Sequence, residues 1–413
     1  MTFMPRRHKN YAEKIFEGYQ MKMSRTKKTT TLRFGVIGLG GMGQKYCKVL
    51  GKMPRVALTA VCDAFAGAAE NTGKTFNVPF FTDHRALIRA RCCDVVAIVT
   101  PHPFHAQPAI DCMRAGIHVV TEKPLTERVA TADKMIQAAR ANGVVFAVMF
   151  QLRLDLLWRQ ALEIVKSGML GRIYRTTMLE MKYRSQRYYD SGVWRATWKG
   201  EGGGVLINQA PHMIDMFVQL AGVPSEVLGK TETRMHRIEV EDHAEALLKY
   251  KNGARGYLCC STNEPESNSL IELSGDKGRL TIRDNKLEFY AFSPPLSKHL
   301  KETKDIWDKP QVNGLGPAEL PKLKALKFGG HEAVLRNMVN HVLDGEPLAT
   351  PGASGLGSLE LANAITLSSH EDRWIKLPID RKKYDQLLFK LQRESRFVKK
   401  NVKVECKTDP KLA

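Results

Sequence analysis

No apolar run in this chain approaches the length of a membrane span. The longest, Val144–Phe150, is enough for one buried strand. The first thirty residues hold no apolar stretch of the kind that marks a secretory signal, so a cytoplasmic setting is expected. Cysteine is sparse, with 8 in 413 residues. Two pairs are adjacent, Cys92–Cys93 and Cys259–Cys260, and no spacing suits a disulfide framework or a metal site. Internal repeats and low-complexity blocks are absent too, which excludes solenoids and propellers.

Positive charge is the one commodity in excess, at net +20. Its location decides its meaning. Residues 1–30 carry net +6 and residues 381–413 net +7, so the two ends hold most of the surplus. Neither end interleaves aromatics with base-reading side chains, so nucleic-acid binding is not expected as the main function. The whole chain, 413 residues at 43% hydrophobic content, is long enough to bury cores in two domains.

Residues 32–150 alternate short apolar runs with amphipathic stretches. LRFGVI, VALTAVC, DVVAIVT, IHVVT and VVFAVMF read as buried strands, separated by helical segments. That rhythm predicts a parallel sheet covered on both faces, with its strand-to-helix junctions gathered at one edge. After Phe150 the pattern changes. A helix over 154–167 and one over 211–220 flank strand candidates at 172–182, 226–233, 244–250, 254–261, 269–274 and 279–283, a mostly antiparallel sheet with helices on one face. Residues 293–328 read as a Pro- and Lys-rich loop, followed by helices over 331–343 and 356–370. The expected division is a basic extension at 1–30, domains at 31–151 and 152–380, and a basic tail at 381–413.

The first strand runs into Gly38-Leu39-Gly40-Gly41-Met42-Gly43, a G-x-G-x-x-G turn opening a helix. Glycines there let the backbone approach a pyrophosphate held at a helix N-terminus. Asp63, at the end of the next strand, suits the ribose hydroxyls of a dinucleotide. No Arg or Lys lies at 64–66 to welcome a 2′-phosphate, so NAD is expected rather than NADP.

Polar residues close the later strands: Thr100, Pro101 and His105, then Glu122 and Lys123, then Gln151 and Arg153. Of these, Arg153 is assigned to the substrate and the others to the cofactor crevice. Lys123 falls on the nicotinamide side, where burial and a positive ring nearby would lower its pKa and make it a general base.

These motifs resemble the glucose–fructose oxidoreductase / inositol dehydrogenase / MocA family. The resemblance rests on Gly38–Gly43, Asp63, TPHPFH, Glu122-Lys123-Pro124, GEGGGVLINQAPHMIDM at 200–216 and LDGEPLATPGASGLGSLELANA at 343–364. It implies a Rossmann domain followed by an α/β domain with an open-faced sheet, acting by nicotinamide-dependent oxidation or reduction of a sugar or cyclitol hydroxyl. It also implies that Lys123 and His212 meet the reacting hydroxyl, together with an acid four residues before the histidine. Here that position is Asn208, which can orient a hydroxyl but cannot take its proton, so the base is Lys123 or His212.

The stretch 182–198 is rich in Tyr, Trp and Arg, and Tyr183, Trp194 and Arg195 are assigned to a carbohydrate wall. The glycines at 202–204 are expected where the backbone passes beneath cofactor or sugar. An open sheet face implies a homo-oligomer, a dimer or a tetramer. Two other functions compete with simple dehydrogenation. One is redox-neutral glycoside cleavage through transient sugar oxidation; the other is a non-catalytic NAD sensor.

Overall fold

The computed structural model describes residues 30–192, 194–266, 268–316 and 319–397. Residues 1–29 of the expected basic extension and 398–413 of the expected tail lie outside the described residues.

Residues 32–148 build a parallel sheet from β1 (Leu32–Ile37), β2 (Val56–Cys62), β3 (Phe80–Phe81), β4 (Val95–Ile98), β5 (His118–Thr121) and β6 (Phe146–Val148), ordered β3-β2-β1-β4-β5-β6. β1 pairs with β2 on one side and β4 on the other. The strand order reverses there, which opens a crevice at the carboxyl ends. β4 is buried at every residue, as a strand covered on both faces must be. On one face Ile98 and Val119 pack with Ala109, Met113 and Met135. On the other, Phe34, Val36 and Tyr46 pack with Val334, Leu335 and Met338 of a helix from far downstream, Gly330–Asp344. The outer edge of β6 is closed in the same way: Val148 donates to the Thr350 carbonyl at 3.0 Å and Ala147 bridges Pro351. The late segment 330–351 thus packs against the N-terminal sheet.

A second sheet contains β7 (Ile173–Met181), β8 (Glu226–Glu232), β9 (His243–Lys249), β10 (Arg255–Ser261), β11 (Leu270–Gly275), β12 (Gly278–Arg283), β13 (Lys286–Ser293), β14 (Gln311–Leu315) and β15 (Ile375–Lys376). Its order is β14-β13-β12-β11-β7-β10-β9-β8-β15. Only the β7–β10 pair among these is parallel. Met178, Leu248, Leu258 and Ile271 bury one face against Phe217 and Ile365 of the helices Pro211–Ala221 and Leu356–Glu371. The other face is open: Leu247 and Tyr257 pair across it, both exposed, beside the Arg175–Glu272 ion pair. This is the Rossmann-plus-open-sheet α/β architecture expected.

Several segments differ from the sequence reading, β13 and β15 among them, which lie where no strand was expected. Within 293–328 the chain forms a helix, Leu296–Glu302, and the edge strand β14 paired with β13. β14 is exposed along most of its length, so it carries no alternation of apolar residues for the sequence to reveal. Residues 381–394, read as part of a basic tail, form a helix capped by Asp380, whose carboxylate accepts the Lys382 and Lys383 N–H groups. Tyr384 and Leu388 lie on its buried side, one turn apart, and the charges occupy the rest.

Candidate active site

At the first junction Gly38 has φ +94°, and a Cβ there would lie 2.7 Å from the Thr100 nitrogen. A Cβ on Gly43 would collide with the Gly38 carbonyl. Gly40 is different. It precedes the helix Gly41–Leu50 without a side-chain cap, and an added Cβ would meet no atom within 4 Å. The turn is therefore packed from behind and open in front, where Gly41 and Met42 begin the helix. Asp63 sits against it, one carboxylate oxygen accepting the Leu39 N–H at 2.7 Å and the other the Phe65 N–H at 2.9 Å. The buried Thr100 hydroxyl has no partner. An open glycine over a helix N-terminus, an acid at the end of β2 and an orphaned hydroxyl at the end of β4 fit a dinucleotide.

Deeper in the crevice, β5 ends in Glu122 and Lys123. Glu122 is buried, accepts the Tyr46 hydroxyl at 2.7 Å, and lies 3.2 Å from His331 Nε2 on the returning helix. Burial alone would raise its pKa, but the hydrogen bond and charge of His331, then Tyr46 and Lys123, hold it at about 2. Lys123 Nζ donates to the Asn208 carbonyl at 2.9 Å. Burial lowers its pKa to about 8; Lys182 and Arg195 push the same way, while Glu122 and Glu201 oppose them.

His212, half-buried at the start of the helix Pro211–Ala221, has Nε2 3.3 Å from Gln151 Nε2 and its ring edge-on to Phe150. Burial, then the Lys123 charge, press its pKa well below 6.5, so the ring is neutral. With Nε2 accepting the amide N–H, the ring proton is assigned to Nδ1, a buried atom without a partner. The buried Oε1 atoms of Gln151 and Gln209 also lack partners.

Around these lies a polar network centred on residues absent from the sequence-based site. Tyr188, on the short helix Gln186–Asp190, has its hydroxyl oxygen 2.7 Å from Arg195 Nη1, 3.3 Å from Gln209 Nε2 and 3.5 Å from Asn208 Nδ2. The Arg195 guanidinium stacks over the Tyr188 and Trp194 rings at 4.5 and 4.6 Å. Trp194 packs edge-on to His102, whose Nδ1 lies 3.3 Å from the Glu201 carbonyl. The GEGGG stretch was legible as glycine, but nothing in it marked Glu201 as a buried carboxylate.

Several expected site residues are committed elsewhere. Arg153 forms a two-point ion pair with Asp215 at 2.6 and 2.7 Å and also donates to Ser354, so it faces the protein rather than a substrate. His105 spans the Thr100 and Pro124 carbonyls at 2.7 and 2.9 Å and is 1% exposed. It ties two strand-end loops together and leaves no ring nitrogen for a cofactor. Pro101 begins a short helical turn, His102–Phe104, ahead of His105. Tyr183 is 54% exposed and bridges Asn263 by its backbone. The glycines are not a floor under a ligand: a Cβ on Gly202 would lie 2.5 Å from Glu127 Cβ, one on Gly203 2.6 Å from Ile207, and one on Gly204 would collide with the Glu241 carbonyl. They let this loop pack against its own chain.

A glycine turn at a strand-order switch, with a half-buried lysine and a histidine farther along the crevice, defines a two-domain dinucleotide-dependent oxidoreductase. Residues 32–150 match the oxidoreductase family with an NAD-binding Rossmann fold and residues 158–281 the GFO/IDH/MocA C-terminal domain, and the chain belongs to this family. It is similar to trans-1,2-dihydrobenzene-1,2-diol dehydrogenase of Mus musculus, at 26% identity over 61% of this chain and 74% of the relative. D-glucoside 3-dehydrogenase of Escherichia coli K12 is 32% identical over 48% of this chain and 56% of the relative. Myo-inositol 2-dehydrogenase of Thermotoga maritima is 24% identical over 84% and 98%. Among solved structures, the WlbA dehydrogenase of Chromobacterium violaceum, in complex with NADH and UDP-GlcNAcA, superposes with a TM-score of 0.75 at 27% identity, covering 87% of this chain and 100% of the other.

Proposed function

We propose that this protein oxidises a secondary hydroxyl of a sugar, glycoside or cyclitol to a ketone with NAD, and catalyses the reverse reduction. The carrying observation is the half-buried Lys123 at the end of β5, whose Nζ is held 2.9 Å from the Asn208 carbonyl and whose pKa is lowered to about 8. Bound NAD supplies the hydride acceptor. Lys123 takes the hydroxyl proton, and its bond to the Asn208 carbonyl holds the amine while its lone pair faces the substrate. His212, neutral and steadied by Gln151, gives an N–H to the reacting oxygen, and that bond strengthens as the proton leaves and negative charge gathers on the oxygen. Asn208 orients a hydroxyl. Trp194, held by Arg195 and His102, supplies an apolar face for a sugar ring.

The named relatives, a diol, a glucoside and an inositol dehydrogenase, support the polyol class. The apolar pair Leu247 and Tyr257 on the open sheet supports a homo-oligomer, dimer or tetramer. All seven cysteines among the described residues are free thiols, in keeping with a cytoplasmic setting. The test is a panel of sugars, glycosides and inositols with NAD or NADP, read as absorbance of the reduced cofactor. Steady NADH formation supports the proposal; glycosidic cleavage without net NADH would replace it with redox-neutral chemistry.

A further inference from the structure

Asn208 occupies the position for which an acid was expected, and a buried acid lies directly behind it. Glu201 is 1% exposed. One carboxylate oxygen accepts the Ala196 N–H at 2.6 Å, and the other accepts the Asn208 amide N–H. The two ends of a primary amide are alike in shape but opposite in chemistry. A carboxylate can only accept, so Glu201 fixes the NH2 end of Asn208 toward itself. Tyr188 lies on that same end at 3.5 Å, its hydroxyl already receiving Arg195. Among the described residues no hydrogen bond reaches Asn208 Oδ1.

We infer that Glu201 is a positioning residue: it locks the Asn208 amide so that Oδ1 stands as a fixed acceptor for a second hydroxyl, adjacent to the one being oxidised. This rests on the reading above, in which Lys123 takes the proton of the reacting hydroxyl. That hydroxyl has a single proton, so it cannot also donate to Oδ1. The donor must be a neighbouring group, and the substrate class is a vicinal diol within a polyol ring. The unpartnered Oε1 atoms of Gln151 and Gln209 extend the same preference for hydroxyl donors. An acid at 208 would gain a proton acceptor but set two carboxylates against each other, whereas an amide pairs with Glu201 and leaves the proton to Lys123.

The experiment compares the full-length protein with Glu201→Gln, Asn208→Ala, Asn208→Asp and the double variant Glu201→Gln/Asn208→Ala. Probes are D-glucose, methyl glucoside and myo-inositol with their monodeoxy analogues, at saturating NAD. For the wild type, removing the neighbouring hydroxyl should lower kcat/KM by about tenfold, the worth of one hydrogen bond. In Glu201→Gln the amide can turn over, so the parent sugar should lose about the same factor while the analogue lacking that hydroxyl loses little. The double variant should match Asn208→Ala, and Asn208→Asp should fall below wild type.

Equal losses on parent and analogue in Glu201→Gln, or full activity in Asn208→Asp, would overturn the inference. If Glu201→Gln does not fold, the Asn208 variants decide it on the same analogue series. Failure of the underlying reading shows separately, as normal turnover in Lys123→Ala.

Discussion

The Arg153 guanidinium and the Asp215 carboxylate meet through two bonds, Nη2 to Oδ1 at 2.6 Å and Nε to Oδ2 at 2.7 Å, both side chains almost wholly out of solvent. The pair fastens the chain after β6 to the helix Pro211–Ala221, whose second residue is His212. Burial raises the Asp215 pKa, and Arg153 opposes that rise. Removing one partner leaves a buried charge, so Arg153→Met should cost roughly 3–5 kcal/mol, while Arg153→Met/Asp215→Leu should recover much of it. Urea denaturation measures both. A single variant of normal stability but raised sugar KM would return Arg153 to the substrate.

The proposed proton abstraction by Lys123 sets a direction for the pH profile. A lysine whose pKa is lowered to about 8 is a base only above that pH, so kcat/KM for oxidation should rise through pH 8 and level off beyond it. Glu122, Glu201, Lys182, Arg195, His212 and His331 all face this region. Of these, Glu122 raises the lysine pKa, so Glu122→Gln should move the rise to lower pH. In Lys123→Ala the rise should vanish and kcat fall by roughly 10²–10⁴-fold. Initial rates across pH 6–10 follow all three.

Gly40 and Gly204 separate ligand clearance from packing. A Cβ on Gly40 meets no protein atom within 4 Å, so Gly40→Ala should change stability by less than about 1 kcal/mol, yet weaken NAD by about tenfold or more because the methyl enters the pyrophosphate's space. Gly204→Ala should instead destabilise the fold by about 1–3 kcal/mol or more, since its Cβ collides with the Glu241 carbonyl. Melting curves and NAD titration, run on both variants, give opposite patterns if this assignment holds.

Asp63 accepts the Leu39 N–H of the glycine turn and the Phe65 N–H of its own loop, and we propose that it sets the dinucleotide preference. Asp63→Ser removes its negative charge. The NAD KM should rise by about tenfold, while NADP, no longer repelled at its 2′-phosphate, should lose less or gain. An unchanged NAD/NADP ratio would show that selectivity lies outside Asp63.

Much of this was legible along the chain. The apolar runs ending in Gly38, Asp63, Thr100, Thr121 and Phe150 identified the parallel sheet, because a strand buried on both faces has to be apolar at nearly every residue. Gly38, Gly40, Gly43 and Asp63 could be read because the turn, the helix start and the next strand lie within thirty residues. Tyr188 and Glu201 could not be read. Each sits in a polar stretch whose periodicity is broken, and their partners, Asn208, Arg195 and Ala196, are met only after the loop folds back. Arg153 misled for the same reason: a polar residue after a strand looks the same whether it turns to a ligand or to Asp215.

By itself, then, the sequence determined most elements of the two sheets in their order, the dinucleotide turn and the lysine at the end of β5, since these depend on short-range spacing and apolar patterning. The tertiary structure alone decided which charges are buried together. Lys123 reaches Asn208 across 85 residues, and Glu122 reaches His331 on a helix that closes the first sheet from the far end of the chain. Desolvation and charge pairing are sums over everything packed around a group, so the protonation of Lys123 and His212 follows from the assembled core rather than from any local run of residues.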